Sequence, residues 1–395
     1  MPMVIKYTVI GGGTAGWLTA LFVKEKFPNS DVTVIASSEI GILGAGEGTT
    51  PPFVDFLRDI NISFEDIISN ALGTVKTGIK FVNWSGDSKH YFHNFVSDEW
   101  EKEIVDSGRQ EQFQALHFDA NLLAKYLQSV GLTRGIKLVD SEVISCNPDQ
   151  DNNIVSLTLK NEQQIKTDFV FDCSGFRRVI IGNYYKSPWT SYSKLLPVNR
   201  AMPFFLKNSG IDLPKYTESV ALKHGWMWKI PVQGRFGCGY IFDSSRATDE
   251  EIKAEIEDYH GHEIVSPRMF SFDAGCYDTT WINNCVAIGL SSGFSEPLEA
   301  TSIWVQITSL RHLLKNIDGM FNPLIKAKYN ESIKTMNHEI VKFLHFHYLS
   351  DRQDSNFWKS FKSTDIKLQS MGPIETYSSY NWMTIAKGIG YNGNS

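Results

Sequence analysis

Residues 6–17 read KYTVIGGGTAGW, a short apolar strand that runs into a glycine loop and then into a helix with apolar positions at helical spacing. Gly11, Gly13 and Gly16 form the G-x-G-x-x-G pattern in the strand-to-helix context that gives it meaning. Glycine at such a turn reaches φ values that other residues resist, and it lets the backbone approach a pyrophosphate. The following helix N-terminus offers free N–H groups and a partial positive charge to it. Asp31 to Ala36 completes a βαβ opening as a second strand. At the end of that strand, Ala36 stands where a ribose-binding acid is expected, so Ser37, Ser38 or Glu39 has to take that role.

Two later segments extend the pattern. FDCSGF (Phe171 to Phe176) and CVAIGLSSGF (Cys285 to Phe294) each place a small-residue turn after an apolar strand, and three such strand ends suggest one extended cofactor lying across them, as FAD does.

The chain has 395 residues, 42% of them hydrophobic, enough for one large core or two moderate ones. A net charge of -6 with both signs interspersed gives no footprint for nucleic acid or anionic membranes. With no signal-peptide layout and no apolar run of about twenty residues, the expectation is a soluble cytoplasmic protein. Five separated cysteines without Cys/His clustering point to reduced, buried thiols and no metal site. Ten tryptophans suit a protein with a stacked ligand, although core filling explains most of them.

Further along, Asp119 caps a helix through Leu127. Ile154 to Leu159 and Ile165 to Phe171 read as strands meeting at a polar turn, as do Trp226 to Val232 and Phe236 to Phe242 around Gly234. Thr301 to Leu314 and Tyr329 to Leu349 are helical in pattern. Antiparallel strands interleaved with α/β segments, without a low-complexity linker, imply a discontinuous two-part architecture.

Several separate motifs together resemble the flavin-dependent tryptophan halogenase family: GGGTAGW (Gly11 to Trp17), GAGEGTTP (Gly44 to Pro51), VKTGIKFVNW (Val75 to Trp84), HFDA (His117 to Ala120), GWMWKIP (Gly225 to Pro231) and EPLEATSI (Glu296 to Ile303). HYLSDRQDSNFW (His347 to Trp358) and NWMTIAKGIGY (Asn381 to Tyr391) resemble the family's C-terminal end. The resemblance implies an α/β fold with a Rossmann-like FAD-binding core, interleaved antiparallel strands and a mostly helical C-terminal substrate region, as in single-component monooxygenases. The core would span residues 1–300, and residues 301–395 would complete the substrate pocket.

In that family reduced FAD, oxygen and halide yield hypohalous acid, which passes through an internal tunnel to a lysine beside the substrate. Lys76 matches that lysine, and Lys80 is read as a surface or structural residue. An ammonium could polarise the oxygen–halogen bond, or a neutral amine could form a haloamine, and burial favours the neutral form. Glu299 matches the catalytic glutamate, which orients the halogenating species or takes the ring proton; nearby Glu296 lacks the register. Thr301 and Ser302 match the backbone amides that hold chloride, bromide or iodide. Trp226, Trp228 and Pro231 match the tunnel wall, while His93, Phe95, Phe357 and Trp358 match or suit the walls of the substrate site. Gly11, Gly13, Thr14, Ala15, Gly16, Ser37, Gly46, Glu47, Leu290 and Ile303 are the expected FAD contacts.

The chain is shorter than the tryptophan-specific enzymes, which resembles the compact, phage-encoded members and suggests a more open pocket for indoles or phenols rather than free tryptophan. The implied partner is a separate NAD(P)H-dependent flavin reductase, with oligomerisation left open. An aromatic flavin monooxygenase and a flavin-binding protein without catalysis are the competing readings; intact Lys76 and Glu299 argue against the second.

Overall fold

The computed structural model describes residues 4–41, 47–97, 113–266, 268–317, 322–363 and 376–391. Lys6–Ile10 and Asp31–Ala36 pair in parallel on either side of the helix Thr14–Lys26, so the βαβ opening forms as read. The pair sits inside a six-stranded sheet in the order Trp281–Ile282, Cys285–Ala287, Phe169–Asp172, Lys6–Ile10, Asp31–Ala36, Lys137–Asp140. All neighbours are parallel except the first two. Registers Ile10 to Asp172 and Asp172 to Ala287 bring three strand ends to one edge, and each runs into a small-residue turn. One extended ligand can cross all three.

A seven-stranded sheet stands beside it, built on the hairpin Gly225–Val232 and Arg235–Phe242, whose turn residue Gly234 has φ +83°. Its far edge is formed by Gly78–Val82 and His90–Asn94. A short three-stranded sheet, Glu47–Gly48, Ala115–Phe118 and Thr74–Lys76, carries Lys76 at the end of its last strand.

The continuous strand expected from Ile165 to Phe171 is broken. Gln164–Lys166 pairs antiparallel in a small sheet, whereas Phe169–Asp172 enters the parallel sheet. Thr167 and Asp168 make the change of sheet: the Asp168 carboxylate accepts from the Lys6 N–H at 2.7 Å, and the Thr167 N–H donates to Val155 O. The longest of the other described helices run Ala120–Thr133, Thr301–Lys315 and Pro323–His347, the last starting six residues before the periodicity at Tyr329 because Asn322 caps it and Pro323 fits its first turn.

One apolar cluster reaches from Tyr7 to Ile389 and joins the sheets to the C-terminal helices. The five cysteines are free, all but Cys146 buried. Among the described residues no group of three or more His, Cys, Asp or Glu could hold a metal, and no helix is long and apolar enough to cross a membrane.

Candidate active site

The glycine loop leaves no room for side chains. A Cβ on Gly16 would lie 1.8 Å from Gly11 O, and one on Gly11, at φ +121°, 2.2 Å from Cys173 O. At it the Thr14 Oγ1 and Trp17 Nε1 atoms, the latter beside Gly12, are buried without a hydrogen-bond partner. Orphaned polar atoms beside a bare helix N-terminus fit a large polar cofactor. Of the three candidates that follow Ala36, the Ser38 N–H donates to Asp140 and Glu39 pairs with Lys160, which leaves Ser37 for a ribose. Glu47 is pushed up to about 7 by burial and by neighbouring Asp119. Gly46 lies outside the described residues.

The helix Thr301–Lys315 reaches the same region: the Gln306 amide donates to Ala15 O at 3.2 Å, and Gly289, before Leu290, abuts Ala15. Its N-cap, Ala300, is in the left-handed region at φ 54°, ψ 37°, and makes no side-chain cap. The amides of Thr301 and Ser302 therefore open the helix without a capping oxygen, a suitable place for an anion. Ile303 is buried one position further on.

Lys76 has no solvent exposure; its Nζ donates to Thr49 O at 2.9 Å and lies 5.4 Å from the centre of the Phe95 ring. Burial pushes its pKa down to about 8, against an opposing pull from the charge of Glu299. Beside it, burial and Lys76 hold His117 well below the ordinary imidazole range, and the His117 Nε2 lies 2.9 Å from Thr217 Oγ1. Lys80 points the other way and pairs with Glu218 at 3.1 Å.

Glu299 sits just before the helix start and is gripped by two imidazoles. His93 Nδ1 lies 3.0 Å from its Oε1, and His347 Nε2 lies 2.8 Å from the same oxygen. Burial alone would raise the carboxyl, but the two imidazoles, His93 and then His347, outweigh it and hold Glu299 well below the usual carboxylate range. The hydroxyls of Tyr91 and Tyr377 are buried without a partner, and both phenols are raised by burial and then by the charge of Glu299. Rings crowd round them: Tyr377 stacks on Phe343 at 3.8 Å, and Trp382 meets Phe343 edge-on at 4.9 Å.

Trp226 and Trp228 stand on the strand Gly225–Val232, 6.1 Å apart, with Trp84 packed against Trp226. The Trp226 indole N–H donates to Tyr348 Oη, which in turn donates to Glu296, a carboxyl raised to about 8 by burial. Trp228 lies flat over Gly239, where a Cβ would come within 2.0 Å of its ring. Pro231 O accepts from Thr74 Oγ1 at 2.6 Å, tying this strand to the strand that carries Lys76.

A buried lysine, a clamped glutamate, a wall of two tryptophans and a glycine-loop cradle meet in one molecule. The family model for tryptophan halogenase matches residues 6–106 and 99–387. The chain belongs to the tryptophan halogenase family. It is 30% identical to a tryptophan 6-halogenase of Streptomyces toxytricini over 91% of this chain and 81% of that protein. It is also 30% identical to a tryptophan 7-halogenase of Lentzea aerocolonigenes over 94% of this chain and 81% of the relative. The solved Streptomyces toxytricini enzyme superposes with a TM-score of 0.89 at 27% identity, covering 98% of this chain and 90% of its own. A flavin-dependent halogenase from a Brevundimonas species gives 0.87 at 26%, covering 99% of this chain and 90% of that one.

This halogenase is an FAD-dependent oxidoreductase that takes halide as co-substrate, and enzymes of the family need a separate flavin reductase and an aromatic substrate. Its structure brings Lys76, Glu299, His93 and Phe95 together, although His93 has both ring nitrogens engaged, the second with the Asn381 amide at 2.9 Å. Phe357 and Trp358 pack instead into an aromatic cluster behind the tryptophan wall. Trp358 meets Trp84 edge-on at 5.6 Å and donates its N–H to Leu222 O. Sequence reasoning missed His347, Thr49, Tyr348 and the structural use of Glu296. His347 and Tyr348 do open the tail motif, but nothing local in that motif shows that they face the glutamate loop.

Proposed function

We propose that the halogenase transfers an electrophilic halogen through Lys76 to an electron-rich aromatic ring of the indole or phenol type. The observation that carries this reading is a lysine amine with no solvent exposure, held on Thr49 O beside the Phe95 ring and within reach of the charge of Glu299. Reduced FAD with oxygen supplies the oxidising equivalent that turns halide into hypohalous acid. Gly11, Gly13, Thr14, Ala15, Gly16, Ser37, Gly46, Glu47, Leu290 and Ile303 would hold the cofactor, and the Thr301 and Ser302 amides the halide. Trp226, Trp228 and Pro231 would wall the passage, so that the small acid passes and the organic substrate does not.

At Lys76 the neutral amine displaces water from hypohalous acid and forms an N–halogen bond. The ring then attacks the halogen, so that bond breaks while a carbon–halogen bond forms. Glu299 takes the proton lost by the ring carbon, and a proton returns to the lysine nitrogen. Partner rings Phe343, Tyr377 and Trp382 suit a flat substrate, and the unpartnered Tyr91 and Tyr377 hydroxyls suit one polar handle such as a ring N–H or O–H.

The reading is tested by mass spectrometry of indoles and phenols incubated with the protein, FAD, NADH, a flavin reductase, catalase and each halide in turn. A product with the halogen mass shift, absent without the protein, is expected. Hydroxylated product without halide dependence would point to an aromatic monooxygenase instead.

A further inference from the structure

The hydrogen bonds around Glu299 settle where the protons of its two imidazoles lie. Asn381 Oδ1 accepts from the Ser378 N–H at 2.8 Å, so its amide nitrogen is the group facing His93 Nε2 and donating to it. His93 therefore keeps its proton on Nδ1, pointed at Glu299, and is a neutral ring. His347 differs. Its Nδ1 lies 2.8 Å from Phe343 O, a carbonyl that can only accept, so Nδ1 bears a proton. Its Nε2 lies 2.8 Å from Glu299 Oε1, and a bare lone pair there would face a carboxylate. A second proton must lie in that contact.

The Glu299 carboxyl faces the His93 Nδ1–H with both oxygens, at 3.0 and 3.2 Å, so it stands as the acceptor, and the proton in the His347 contact lies on the imidazole. The remaining neighbours of the His347 ring are aromatic: Phe343 at 4.9 Å, Phe81 at 5.3 Å and Trp84 at 6.1 Å. Glu299 is thus its counter-ion. The other ionisable groups turned toward this centre are Lys76, His117, Tyr91 and Tyr377, and the last three are driven to their neutral forms by burial.

We propose that His347 is a positioning residue that carries the counter-charge of Glu299 as an imidazolium, leaving Lys76 to react as an uncharged amine. The inference rests on the reading of Lys76 and Glu299 as the reacting pair. A carboxylate without that cation would act on Lys76 with its full charge and favour the ammonium, which is not a nucleophile. With the charge of Glu299 matched, the desolvation of Lys76 decides its state.

Neither readout of the test needs halogenation, so it stands apart from the test of function. Protein labelled with 15N in the histidine rings is compared by NMR at pH 8 as wild type, His347→Gln and Glu299→Gln. The signal lost in His347→Gln should show protons on both ring nitrogens in the wild type and on one in Glu299→Gln. In parallel, 13C-labelled lysine is titrated, with Lys76 identified by its loss in Lys76→Met. In His347→Gln, which keeps a donor to Glu299 without the charge, the Lys76 midpoint should rise by about one pH unit or more. A singly protonated His347 in the wild type, or a Lys76 midpoint that does not move, overturns the proposal. If His347→Gln does not fold, loss of the signal in His347→Asn identifies it instead, and the Glu299→Gln comparison still decides the protonation of His347.

Discussion

Lys76 costs the folded halogenase stability in order to be useful. Its pKa falls from 10.5 to about 8 on folding, so between those values the unfolded chain binds more protons than the native one. The penalty is present in full below about pH 8 and is relieved as pH rises toward 10.5. It amounts to roughly 3 kcal/mol, from about 1.4 kcal/mol per pKa unit. Lys76→Met should accordingly raise the melting temperature at pH 7, and the gain should shrink toward pH 10; scanning calorimetry at both values checks it. The same titration bears on catalysis: product formed per flavin oxidised should rise through about pH 8, where the amine loses its proton. Glu299→Gln keeps the shape and removes the base, so its product yield should fall at least tenfold while flavin oxidation continues.

At the scale of elements, the strand Gly225–Val232 can seat Trp228, a residue of the proposed tunnel wall, because its neighbouring strand offers Gly239 where the indole lies. Gly239→Ala would put a methyl inside the Trp228 ring, so the ring has to leave the wall. The expected result is retained FAD binding with loss of coupling, read as more peroxide and less halogenated product per NADH in a Gly239→Ala preparation. The glycine loop behaves in the same way. A methyl on Gly16 meets backbone, which cannot swing aside, so Gly16→Ala should lose FAD binding, measured by flavin fluorescence titration.

These elements also divide what was legible in the sequence from what was not. Strand, loop and helix at residues 6–26 are local, and their periodicity and glycines suffice. Lys76, Glu299 and the tryptophans came from motifs. His93 and Glu299 are 206 positions apart and His347 and Glu299 are 48 apart, so no spacing rule could join them. The break at Thr167 and Asp168 escaped for a similar reason: apolar alternation continues across it, and only tertiary hydrogen bonds show the change of sheet.

Across the whole molecule, one core joins the parallel sheet, the antiparallel sheet and the C-terminal helices, which lets a residue near the tail, Asn381, orient His93 beside Glu299. Ala36, with only Ser37 left at the ribose position, implies loose FAD retention. The purified protein should be nearly colourless, and a stoichiometrically yellow preparation would contradict this. The measurement that bears most directly on the whole account compares wild type with Lys76→Ala for halogenated product formed per reduced FAD oxidised. The account predicts that the ratio collapses in the variant while flavin oxidation continues at a similar rate. A variant that keeps the parent ratio would remove Lys76 from halogen transfer.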